Sequence, residues 1–99
     1  MVHVLAIITA HSGQRIALLE LFNAVIPTVR DEEGCIEYGV AVDVPNADPA
    51  FGPDTYVVIE KWTSPETLKA HSIAPHMKAF GEAAKPLIAK RAVHVLQPG

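Results

Sequence analysis

Apolar and polar positions alternate from Val2 to Ala10 (VHVLAIITA), a run rich in β-branched and aliphatic residues. That pattern predicts a strand. Ser12-Gly13 follows as a turn, with Ser12 placed to cap a helix. From about Gly13 to Arg30 the period changes. Leu18, Leu19, Phe22, Val25, Ile26 and Val29 recur at the three-to-four spacing of one helical face, and Pro27 falls late in the helix. Asp31-Glu32-Glu33-Gly34 is the polar exit, and Gly34 suits a left-handed terminal residue.

Period two returns from Cys35 to Val44, where Ile36, Tyr38, Val40 and Val42 alternate with Glu37, Gly39, Ala41 and Asp43. Pro45 to Asp54 (PNADPAFGPD) reads as a long loop, of the kind that is often functional or mobile. Thr55 to Trp62 is the third strand, with Tyr56, Val58, Glu60 and Trp62 on one face. Ser64-Pro65 opens a second helix as N-cap and first helical residue. This helix reaches about Ser72, breaks near Ala74-Pro75, and resumes from His76 to about Ala84. Pro86 ends it, and Leu87 to Gln97 is the fourth strand.

The order β-α-β-β-α-β is the α+β, ferredoxin-like arrangement. It predicts a four-stranded antiparallel sheet with the helices on one face and the other face bare. A bare apolar face on so small a domain calls for a partner, so a homodimer through the open sheet is expected.

Composition narrows the picture. Ninety-nine residues are one domain, 1–99, with 49% apolar residues for its core. The net charge is −3, and the eight basic residues are scattered, so no nucleic-acid partner is expected. The apolar start lacks the basic flank and cleavage site of a signal peptide, and no apolar run reaches the ~20 residues of a membrane span. Cys35 is the lone cysteine and reads as a small strand hydrophobe, which fits a reducing cytoplasm.

Candidate chemistry gathers in the second half. His71 and His76 are five residues apart across Pro75, whereas two metal ligands on one helix want three or four, so no metal site is expected. No nucleophile motif, dinucleotide fingerprint or phosphate loop occurs. Glu60, between Tyr56 and Trp62 on one strand face, is either a solvated acid or a titratable group in a pocket wall. His76 sits where the helix restarts, where the dipole disfavours an imidazolium. Either histidine could be a base, or simply cap the break.

Four stretches carry a resemblance: EEGCIEY at 32–38, VIEKW at 58–62, SPETLKAHSIAPHMKAF at 64–80 and the closing VLQPG. They resemble the antibiotic biosynthesis monooxygenase (ABM) superfamily, most strongly its small bacterial quinol monooxygenases. The resemblance implies a dimeric α/β barrel of ferredoxin-like subunits. It also implies a cofactor-free oxygenase that oxidises quinols, anthrones or similar phenols with dioxygen, without metal, haem or flavin. By this resemblance His76 and His71 are the expected bases, and Trp62 stacks on the substrate. Tyr38, Glu60 and Phe80 join Trp62 on the pocket. Haem-degrading relatives keep an Asn on the first strand, and Val2–Ala10 has none. Two alternatives stay open. One is an isomerase of a phosphorylated signalling-sugar derivative, which would want a basic cluster that the sequence does not display. The other is a small-molecule-binding or stress-response module without turnover.

Overall fold

The computed structural model describes residues 1–99. In chain order the elements are β1 (Val2–Ala10), α1 (Arg15–Arg30), β2 (Cys35–Ala41), β3 (Thr55–Trp62), α2 (Pro65–Ser72), α3 (Pro75–Ala84), one 3-10 turn over Lys85–Leu87, and β4 (Ile88–Leu96). The sheet is antiparallel throughout in the order β2-β3-β1-β4, the ferredoxin-like topology.

Local chemistry explains the boundaries. Ser64 accepts from the Thr67 backbone N–H, and the Thr67 hydroxyl receives the Ser64 N–H, so a capping box starts α2. Pro65 takes the first helical position, as expected. At the break, Pro75 has no N–H to give and holds Ala74 extended (φ −64°, ψ 143°), so α3 starts as a new helix. The first helix departs from expectation. It begins at Arg15 after Gln14, with no side-chain cap, and Ser12 stays in the preceding turn. β2 is also shorter than its alternation suggested and ends at Ala41. The following loop is tied down where Asp43 accepts the Phe51 and Gly52 N–H groups at 3.1 and 2.9 Å. Those two bonds hold its carboxyl below the usual range.

All three helices lie over one face of the sheet. Leu18, Phe22, Ile26 and Val29 of α1 bury against Val4, Ala6, Ile8, Tyr56 and Val58. Ile36 does not follow the expected inward alternation. The ladder shifts register between Cys35 and Glu37, which turns Ile36 outward, while Tyr38 pairs with Glu60 and is buried. The opposite face carries Leu5, Ile7, Val57 and Ile59 with no helix over them. β4 is exposed beyond Ile88, and its Val93 and Val95 pair with Ala6 and Val4 on the helix side. The helical layer therefore covers β1 to β3 and leaves a gap along β4.

Candidate active site

The gap is the mouth of a cavity of about 640 Å³ between the helices and the sheet. Its inner wall is aromatic. Phe22 stacks on Tyr38 at 5.4 Å and meets Tyr56 at 5.7 Å and Phe80 at 5.9 Å, and all four rings line the space. Val93 and Val95 form the open side. Burial pushes the Tyr56 phenol up to about 12, and burial with the Glu60 charge pushes Tyr38 well above its ordinary value. Both stay as neutral hydroxyls. Neither makes a side-chain hydrogen bond, and no buried side-chain polar atom lacks a partner, so both oxygens reach the cavity surface.

His71, on the last turn of α2, is buried at the wall. Its ring lies between Trp62 at 4.6 Å and Tyr38 at 5.4 Å. Its two nitrogens face two carboxylates. Nδ1 is 2.8 Å from Glu32 Oε2, and Nε2 is 3.9 Å from Glu60 Oε1. As a carboxylate Glu32 only accepts, so Nδ1 carries the hydrogen. A neutral His71 then has its lone pair on Nε2, beside Glu60 and the cavity. Glu60 is itself fixed by the Trp62 indole N–H at 2.9 Å. Burial raises the Glu60 pKa, and the Trp62 bond and His71 oppose the rise.

The expected site residues therefore divide. His71, Tyr38, Glu60 and Phe80 come together on the cavity. Trp62 does not stack on anything bound there. It is fully buried behind the His71 ring, at the end of β3, and serves as the surface that holds that ring and Glu60. His76 is also off the cavity wall. It turns away from it and places Nε2 2.8 Å from the same Glu32 oxygen, with its side chain partly open to solvent. Burial pushes the Cys35 thiol up, with Glu32 and Glu60 adding to the rise, so it has no thiolate character to offer.

Three side chains of the candidate site escaped the sequence reading. Glu32 sits in the acidic exit of α1, in a pattern indistinguishable from a solvated turn. Lys85 and Arg91 both line the cavity, so it does contain cationic charge that their spacing had hidden. Glu32, His71 and His76 also form a group whose ligand atoms lie within 4.8 Å of one another, close enough to hold a metal ion. The five-residue spacing across Pro75 spoke only to ligands on one helical face, and these two histidines lie on separate helices.

The sequence profile of the family described as antibiotic biosynthesis monooxygenase matches residues 1–83. The chain belongs to the antibiotic biosynthesis monooxygenase family. It is 41% identical, across its whole length and 99% of the relative's, to the protein named Probable quinol monooxygenase YgiN of Escherichia coli K12. Among solved structures it resembles Rv0793 of Mycobacterium tuberculosis, with a TM-score of 0.84 and 29% identity over 99% of this chain and 94% of that one. PA3566 of Pseudomonas aeruginosa shares the fold at a TM-score of 0.84 and 23% identity, over 99% and 93% of the two chains. The family match covers α2 and stops one residue short of the end of α3, before β4.

Proposed function

We propose that this family member is a cofactor-independent monooxygenase that oxidises a quinol, an anthrone or a similar polycyclic phenol with dioxygen. The observation that carries the reading is His71, buried in the wall of an aromatic cavity with Nδ1 tied to Glu32. Family membership and the name of the Escherichia coli relative support the same chemistry.

The steps follow from the groups present. Ground-state dioxygen is a triplet and reacts poorly with closed-shell molecules, but a phenolate or carbanion can give it one electron. His71 Nε2 takes the substrate proton, and Glu32 and Glu60 on either side stabilise the imidazolium. The Tyr38 and Tyr56 hydroxyls and the Lys85 and Arg91 cations of the cavity wall favour the substrate anion. One electron then passes to dioxygen. The substrate radical and superoxide combine in a carbon–oxygen bond, the His71 imidazolium returns its proton to the peroxide, and the resulting hydroperoxide loses water. One oxygen atom stays on the product, the other leaves in water, and the substrate supplies all the electrons.

We place a second copy of the chain on the bare sheet face, where Ile59 and Leu96 are exposed and Leu5 and Ile7 half-covered. No helix is long and apolar enough to cross a membrane. A reducing cytoplasm is the setting that keeps Cys35 a thiol.

Lys85 and Arg91 also favour a second reading, isomerisation of a phosphorylated sugar derivative, since two cations in a cavity suit a phosphate. Dioxygen uptake by chelator-treated protein, measured with a panel of reduced quinols and anthrones, separates the two. The oxygenase consumes dioxygen above the autoxidation background. Turnover of a phosphosugar under nitrogen, with no uptake on any quinol, establishes the isomerase instead. Saturable quenching of Trp62 fluorescence by a quinol without product identifies a binding module.

A further inference from the structure

We infer that Glu32, His71 and His76 form a binding site for a divalent first-row metal ion, for which Zn²⁺ is the natural probe. Each ligand comes from a different element. Glu32 follows α1, His71 closes α2 and His76 opens α3. The corner at Ala74-Pro75 turns the two helices so that His71 Nδ1 and His76 Nε2 converge on one carboxylate oxygen, each at 2.8 Å. Two ligands around a tetrahedral zinc stand about 3.3 Å apart, so the two histidine–carboxylate separations need to open by only ~0.5 Å, and all three ligand atoms already lie within 4.8 Å of one another. Imidazole and carboxylate oxygen are ligands that zinc accepts.

Two further features mark a built site. His71 is buried and its ring is held between Trp62 and Tyr38, so one ligand is already oriented. Its other nitrogen faces Glu60 Oε1 at 3.9 Å, near enough for the carboxylate charge to favour a hydrogen there once a metal holds Nδ1. The His76 side chain is 28% exposed, which leaves an entry route. Three protein ligands leave a fourth position for water, as in open zinc sites.

Occupancy has a consequence that rests on the proposed role of His71. A neutral imidazole bound through Nδ1 must carry its one hydrogen on Nε2. That hydrogen points to Glu60, and no lone pair remains for the substrate proton. The metal is therefore an inhibitor of the oxygenase, acting from behind the base and outside the cavity.

The test is titration of the chelator-treated, full-length protein with Zn²⁺ by calorimetry and with Co²⁺ by visible absorption. One ion per chain is expected, with the intense bands of four-coordinate cobalt. Loss of a partner behind a ligand alone costs about 10–100-fold in affinity, so His76→Gln, which removes a ligand at a partly exposed position, should cost at least ~100-fold. Glu32→Gln should do the same, and circular dichroism verifies that both variants fold. No binding by the wild type, or binding that is unchanged in both variants, overturns the site. Dioxygen uptake is read beside it. Binding at this site with uptake undiminished leaves the metal site standing and overturns His71 as the base, so the two inferences fail separately.

Discussion

His71→Gln is expected to lower quinol-dependent dioxygen uptake by about 10²–10⁴-fold, the usual contribution of a positioned general base. Glutamine can still donate an N–H toward Glu32, but its amide has no useful basicity. The loss should appear in kcat more than in KM, because the aromatic wall of Phe22, Tyr38, Tyr56 and Phe80 is left in place. Urea unfolding run in parallel checks that the buried position tolerates the change. His76→Gln provides the contrast. His76 lies off the cavity and reaches His71 only through Glu32, so its loss should be the smaller of the two. Equal losses would contradict His71 as the sole base, and a larger loss in His76→Gln would move that role to His76.

Gly34→Ala is expected to destabilise the fold by at least about 2 kcal/mol and to lower uptake with it. Gly34 has φ +82°, which a residue with a Cβ adopts only at a cost. An added Cβ would stand 2.5 Å from Thr67 Cγ2 and 2.6 Å from Thr63 Oγ1. Thr67 cannot rotate away freely, because its hydroxyl and N–H complete the capping box with Ser64. The Gly34 carbonyl also accepts the Thr63 N–H at 2.9 Å, joining the start of β2 to the start of α2. Moving that junction moves Glu32, two residues earlier, away from His71. At this chain length a loss of 2 kcal/mol lowers the unfolding temperature by roughly 8–16 °C. A thermal melt that matches the wild type's would contradict the packing described.

Much of this architecture is written in short-range patterns. The alternation in β3 assigns Tyr56, Val58, Glu60 and Trp62 to one face, and that face is the buried one. Ser64-Pro65 and Ala74-Pro75 mark the start and the break of the second helical segment because caps and prolines act on their neighbours. The resemblance of EEGCIEY and SPETLKAHSIAPHMKAF led to the family that the profile match establishes. What lay beyond reach depends on residues distant in sequence. Glu32 meets His71 and His76 across 39 and 44 positions, so nothing in its own neighbourhood distinguishes it from a solvated acid. Strand alternation told which face Trp62 takes, but not that α2 would lay His71 over it and shut it off from the cavity. The histidine spacing says little here for a related reason. Helical periodicity compares residues on one axis, and Pro75 puts these two on different axes.

The central claim is that Glu32 sets the tautomer of His71 and so leaves Nε2 free to take a proton at the cavity. Nitrogen-15 correlation spectra of the histidine rings, recorded on chelator-treated protein with neutral rings, read this directly. A hydrogen on Nδ1 and a bare Nε2 are expected for His71, with the opposite tautomer appearing on addition of Zn²⁺ and the Nδ1 preference lost in Glu32→Ala, which removes the acceptor. A wild-type His71 whose single hydrogen sits on Nε2 would contradict it.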